Sequence, residues 1–138
     1  MAWRGTVLII GDLIVLTLFS MLGRGSHGLT LGVVDIARTG LPFAAAWLVV
    51  NLVSGGFRSR PEPPSPGAAA LQVIARYAVA GPLALVGRSL WLDRPIPASF
   101  AAVALSTSLT LLVAWRVLLA WWCTRAGTGG ARRPEGVR

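Results

Sequence analysis

Lysine is missing from this sequence: all 13 basic residues are arginines. With abundant Ala, Gly and Pro, that usage fits a GC-rich bacterial genome and carries no functional message by itself. Cysteine occurs once, at Cys123, which excludes an intrachain disulfide. Histidine also occurs once, at His27, so there is no zinc- or haem-type ligand set, and neither a metal nor a cofactor is expected. Charged residues make up only 13% of the 138, against 54% hydrophobic ones. A soluble domain of this length would need more charges to cover its surface.

What is present is long apolar blocks, with a mean hydropathy of +0.67. They predict an all-α integral membrane domain over residues 1–123, a bundle of four transmembrane helices. The runs cover about 5–22, 41–57, 67–91 and 97–123. The first, GTVLIIGDLIVLTLFSML, is near the minimum spanning length. Asp12 interrupts it and FSMLGRG offers no small-x-small cleavage pattern, so it reads as a helix and not as a signal peptide. Pro42 suits the first turn of the second run, and Gly55-Gly56 its end. The segment SRPEPPSPG, 59–67, is a proline-rich linker. From Thr124 to Arg138 the chain has no apolar periodicity and is expected to be a disordered basic tail.

The net charge is +8, but the arginines lie mainly between and beyond the apolar blocks. That is the distribution of membrane topology, not of a nucleic-acid footprint, so no nucleic-acid partner is expected. Four spans put both termini on one side, with Arg4, Arg58, Arg60, Arg125, Arg132, Arg133 and Arg138. Arg24, Arg38, Arg88 and Arg94 fall on the other. The excess predicts cytoplasmic termini in a bacterial inner membrane. Trp3, Trp91, Trp121 and Trp122 stand near helix ends, as an aromatic belt would.

Four polar residues share one depth in the apolar runs. Asp12 and Arg116 lie roughly 10 Å in, Arg76 roughly 13 Å, from the same side, at 1.5 Å per residue. Asn51 approaches that level from the second run. A buried charge is costly unless paired, so Asp12 is expected to find an arginine. Arg76 shares a helix face with Ala69, Gln72, Ala80 and Gly87, a small and polar face suited to the bundle interior. The fourth helix carries a small ridge of Ser99, Ala102, Ser106, Thr110 and Ala114, and Arg116 points off it. Those patterns favour Asp12–Arg76, with Asp12–Arg116 as the alternative. Either pair could fix helix register or relay a proton. Pro82, in mid-helix, reads as a tolerated kink.

At the far end, SMLGRGSHGL, 20–29, has two readings. A glycine-rich cap with a cation at a helix C-terminus is the structural one. The other gathers Arg24, Ser26, His27, Arg38 and Arg88 into an outward face for a small anion or lipid phosphate. MLGRGS at 21–26 echoes LVGRSL at 85–90, an offset of 64 that also aligns Asp12 with Arg76. Two hairpins in parallel pseudo-repeat would set Arg24 and Arg88 near a common axis.

These residues resemble a bacterial membrane family catalogued as domain of unknown function 3054. The likeness rests on Asp12, Phe19, Gly23, Arg24, Ser26, His27, Arg38, Pro42, Phe43, Trp47, Arg88, Pro97, Phe100, Trp115 and Arg116, within about 5–123. The resemblance implies a four-helix membrane protein and no particular activity. Its pattern holds Arg116 but not Arg76, which restores Arg116 as a partner for Asp12.

Two functional classes follow. One is a protein that handles small solutes, anions or ions, working as a homo-oligomer because four helices rarely enclose a pathway alone. The other is a structural or accessory subunit of a larger membrane complex, packed through small residues. A membrane enzyme is the least favoured: Ser26 and His27 are adjacent and cannot simply face each other as nucleophile and base.

Overall fold

The computed structural model describes residues 3–58 and 62–128. Helix α1 spans Trp3–Ser26, α2 Val33–Val53, α3 Pro66–Leu92 and α4 Ala98–Thr128. All four are long and apolar enough to cross a membrane. They form a ring in which α1 packs on α2 and α4, and α3 packs on α2 and α4.

The bundle is apolar on its outside. Val33, Val53 and Leu90 are each more than three-quarters exposed, and Ile10, Ile14, Val86 and Val103 are more than half exposed. Such a surface suits lipid and would aggregate in water. Trp91, Trp121 and Trp122, near the ends of α3 and α4, are exposed as expected of a belt.

Each helix turns one stripe inward at spacings of three and four. On α1 the stripe is Asp12, Leu16, Phe19 and Ser20; on α2 it is Thr39, Phe43, Trp47 and Asn51. On α3 it is Ala69, Val73, Tyr77, Ala80 and Ala84. On α4 the spacing is strictly four: Ala104, Ser108, Leu112, Arg116 and Ala120. The small ridge containing Ser106 and Thr110 lies two residues, about 200°, away from that stripe. It is exposed on the outside of the bundle. Its hydroxyls bond their own helix: Ser106 Oγ donates to the Ala102 carbonyl at 2.8 Å and Thr110 Oγ1 to that of Ser106 at 2.7 Å.

Two glycines set the helix separations. A Cβ on Gly11 would stand 2.0 Å from Trp115 Cζ2, so α1 and α4 approach there as only glycine permits. A Cβ on Gly40 would stand 2.4 Å from Ser20 Oγ, the same device between α2 and α1.

Several boundaries differ from those the sequence predicts. α2 begins at Val33, not near 41, because Gly32 and the acidic first turn at Asp35 start the helix early. Pro42 therefore lies inside the helix, and α2 ends at Val53. α4 continues through Thr128, so the expected disordered tail does not begin at Thr124. There Arg125 stacks over Trp121 at 3.8 Å, and Thr124 Oγ1 donates to the Trp121 carbonyl at 2.9 Å. The rest of that expected tail, 129–138, lies outside the described residues. In the linker, Ser65 caps α3 by accepting from Ala68 N at 3.3 Å, with Pro66 in the first turn. α3 is continuous through Pro82.

Candidate functional site: a buried ion pair between two arginine-lined clefts

Asp12 is completely buried and its carboxylate is fully used. Arg116 Nε donates to Asp12 Oδ1 at 2.9 Å, and Arg116 Nη2 donates to Asp12 Oδ2. Trp47 Nε1 adds a third bond to Oδ2 at 2.7 Å. A carboxylate with a forked arginine and an indole donor is well satisfied in a medium without water. The guanidinium also sits between two aromatic rings, 5.9 Å from the Trp47 centroid and 5.6 Å from that of Phe57. Asp12, Trp47 and Arg116 thus join α1, α2 and α4 at one point.

The pairing with Arg76 that the small face of α3 favoured is not formed. The inward stripe of α3 runs through Val73 and Tyr77, which leaves Arg76 at its edge. Its guanidinium turns to the α2–α3 connection, where Nε donates to Ser54 Oγ at 3.0 Å and Nη1 to Gln72 Oε1 at 3.5 Å. Asp12 and Arg76, aligned by the 64-residue offset, therefore occupy different settings. Asn51 is fully buried one turn beyond Trp47, donating Nδ2 to the Trp47 carbonyl at 2.9 Å. Its Oδ1 is buried with no hydrogen-bond partner among the described residues.

Toward the end of the bundle away from the termini, an aromatic pair, Phe19 and Phe43 at 5.0 Å, closes the core. Tyr77 hydrogen-bonds Ser108 nearby, tying α3 to α4. Beyond them is an open cleft of ≈ 350 Å³, lined by Arg24, Arg38, Arg88 and Arg94 with Asp35, Thr39 and Phe100. Arg24 Nε donates to the Thr30 carbonyl at 2.8 Å, and its Nη2 lies 3.6 Å from Asp35 Oδ2. Thr30 Oγ1 donates to the same Asp35 oxygen at 2.8 Å. Arg88 stacks on Phe100 at 4.6 Å. Arg38 and Arg94 make no side-chain hydrogen bond or ion pair among the described residues.

Ser26 and His27 do not line this cleft. They close α1 instead. Leu29 N donates to the Arg24 carbonyl at 3.0 Å and Gly28 N to that of Gly25 at 3.1 Å, with Gly28 at φ +63°. That is the Schellman arrangement, with His27 as the C-cap. Ser26 Oγ donates back to the Gly23 carbonyl at 2.9 Å. GRGSHG is therefore a helix end from which Arg24 alone reaches the cleft.

A second cleft, which the sequence reading did not anticipate, opens at the opposite end. Its volume is ≈ 90 Å³, and Arg4, Arg58, Arg76 and Arg116 line it with Gln72, Glu62 and Cys123. These arginines are scattered over α1, the α2–α3 connection, α3 and α4, so no local motif announces them. Depth was the only signal: Arg76 and Arg116 were placed at one level. No group of three His, Cys, Asp or Glu able to hold a metal occurs among the described residues.

Four apolar helices around a packed core, with an arginine-lined cleft at each end, define a multi-pass membrane protein. The chain matches the family described as "Protein of unknown function (DUF3054)" over residues 9–119, and it belongs to that family. No curated protein and no solved structure matches the chain. The residues that carried the family likeness divide by position. Asp12, Trp47 and Arg116 make the ion pair, and Trp115 meets Gly11 beside it. Phe19 and Phe43 pack above. Arg24, Arg38, Arg88, Pro97 and Phe100 line the larger of the two clefts, at the end away from the termini.

Proposed function

We propose that this protein binds and handles a small anion, or the phosphate of an anionic lipid, at its outer cleft. One observation carries the reading: four arginines face a single lining carboxylate, Asp35, and Arg38 and Arg94 have no side-chain partner among the described residues. Arginine is the side chain best matched to a phosphate oxyanion, which it can grip with two parallel bonds. Arg24 and Arg88 are held in place, Arg24 by Thr30 and Asp35 and Arg88 by Phe100, so part of the site is set before a ligand arrives. The role is binding: Ser26 Oγ is spent on the Gly23 carbonyl, and neither Ser26 nor His27 lines the cleft.

The Asp12–Arg116 pair is structural in this reading. Each oxygen of Asp12 accepts from Arg116 and one also from Trp47, which suits a fixed clamp better than a proton relay. The setting is a bacterial inner membrane with both termini cytoplasmic, supported by the excess of arginine at that end. A homo-oligomer fits this reading, since four helices rarely enclose a pathway alone.

A second reading, a subunit that packs against another membrane protein, is favoured by the exposed ridge of Ser99, Ala102, Ser106, Thr110 and Ala114. Native mass spectrometry of gently extracted protein separates the two. The first expects an added mass of anion or lipid size that is reduced in the Arg38→Gln, Arg94→Gln double variant. A second polypeptide in fixed ratio, with no ligand mass, would support the subunit reading and overturn the first.

A further inference from the structure

The opposite end of the bundle is also built for an anion. We propose that the inner cleft is a second binding site, for a phosphate oxyanion, and that Arg116 forms its innermost contact. Arg116 spends Nε and Nη2 on Asp12. Its third nitrogen, Nη1, has no hydrogen-bond partner among the described residues, and the residue lines the cleft. The ion pair thus fixes the guanidinium and leaves one N–H edge for a ligand, as a preformed donor.

Arg4, Arg58 and Arg76 stand around the same cleft. Arg76 is oriented by Ser54 and Gln72. Gly55, at φ +68°, turns the chain after α2 so that Arg58 folds back; a Cβ on Gly55 would stand 3.1 Å from Arg58 Cδ. Among the described residues of the lining, four arginines stand with one acid, Glu62, and Asp12 lies behind Arg116. The cleft volume of ≈ 90 Å³ leaves room for one tetrahedral oxyanion. The walls are apolar, with Val7, Leu8, Val73 and Leu119. Arginines over apolar walls suit a phosphate that carries an acyl chain as well as a free one.

The site is separate from the outer cleft and shares no residue with it, so each can fail alone. The test is titration of inorganic phosphate into the purified full chain. It is run in nanodiscs of phosphatidylcholine and in nanodiscs that also contain phosphatidylglycerol. Arg58→Gln and Arg76→Gln are each expected to weaken one class of phosphate site by about tenfold. Arg38→Gln with Arg94→Gln should leave that class intact. Binding equal in both discs identifies free phosphate as the ligand. Binding suppressed by phosphatidylglycerol, with retention of that lipid reduced in Arg58→Gln, identifies a headgroup. Phosphate and lipid binding unchanged in both inner variants would overturn the proposal while leaving the outer site standing. No phosphate or lipid binding in any form would overturn both. Arg58 is exposed on the cleft rim, so its variant reports on the site without disturbing the bundle.

Discussion

Trp47 and Asp12 meet 35 residues apart in sequence, with the indole Nε1 donating to Oδ2 at 2.7 Å inside the membrane-spanning core. The bond brings α2 into an ion pair otherwise made by α1 and α4. The same indole lies 6.2 Å from the Tyr77 ring on α3, so all four helices converge around it.

Trp47→Phe should keep most of the packing and lose that donor. A hydrogen bond to a charged group contributes about 1.5–3 kcal/mol, and the variant should be destabilised by that amount. Equilibrium unfolding in mixed detergent, followed by circular dichroism, measures it.

Gly11→Ala puts a methyl where Trp115 lies, so the indole must move away from α1. Overpacking of this kind costs about 1–3 kcal/mol. Gly23→Ala is the control, since a Cβ there meets nothing within 4 Å and the variant should not be destabilised. Thermal unfolding of the pair in the same detergent is the measurement.

Asp93 ends α3 in the left-handed region, at φ 48°, and Arg94 N donates to the Ser89 carbonyl at 3.3 Å. Glycine adopts that conformation without the steric cost a side chain brings. Asp93→Gly should therefore stabilise the protein by about 0.5–1 kcal/mol. A higher midpoint of thermal unfolding checks it.

Salt tests the outer cleft. Arg38 and Arg94 are exposed, and screening acts within about 8–10 Å at physiological ionic strength. Phosphate affinity at the outer site should fall as sodium chloride rises, whereas the buried Asp12–Arg116 clamp, and with it the unfolding midpoint, should change far less. Phosphate titration and thermal unfolding across one salt series measure both.

The membrane architecture was legible because its signals are local: four apolar runs, a proline-rich linker and tryptophans at the ends. The ion pair was only half legible. Depth puts Asp12, Arg76 and Arg116 together, but Ala69 and Ala80 share their stripe with Val73 and Tyr77, which leaves Arg76 at its edge. On α4 the small ridge of Ser106 and Thr110 drew attention from the strict four-residue spacing that carries Arg116 inward. In GRGSHG, glycine and polarity suggested a site where Ser26 and His27 only end a helix. The inner cleft was not legible, since its arginines come from four separate segments and only the closed bundle assembles them.

Asp12 and Arg116, with Trp47, clamp three helices of the bundle at one point. A double-mutant cycle of Asp12→Asn and Arg116→Gln, read by equilibrium unfolding, tests it most directly. Each single change should cost about 3–5 kcal/mol, since each leaves a buried charge without its partner. The double variant should cost much less than their sum, whereas Asp12→Asn and Arg76→Gln should add within about 0.5 kcal/mol. Additivity for Asp12 with Arg116, or strong coupling of Asp12 to Arg76, would contradict the account.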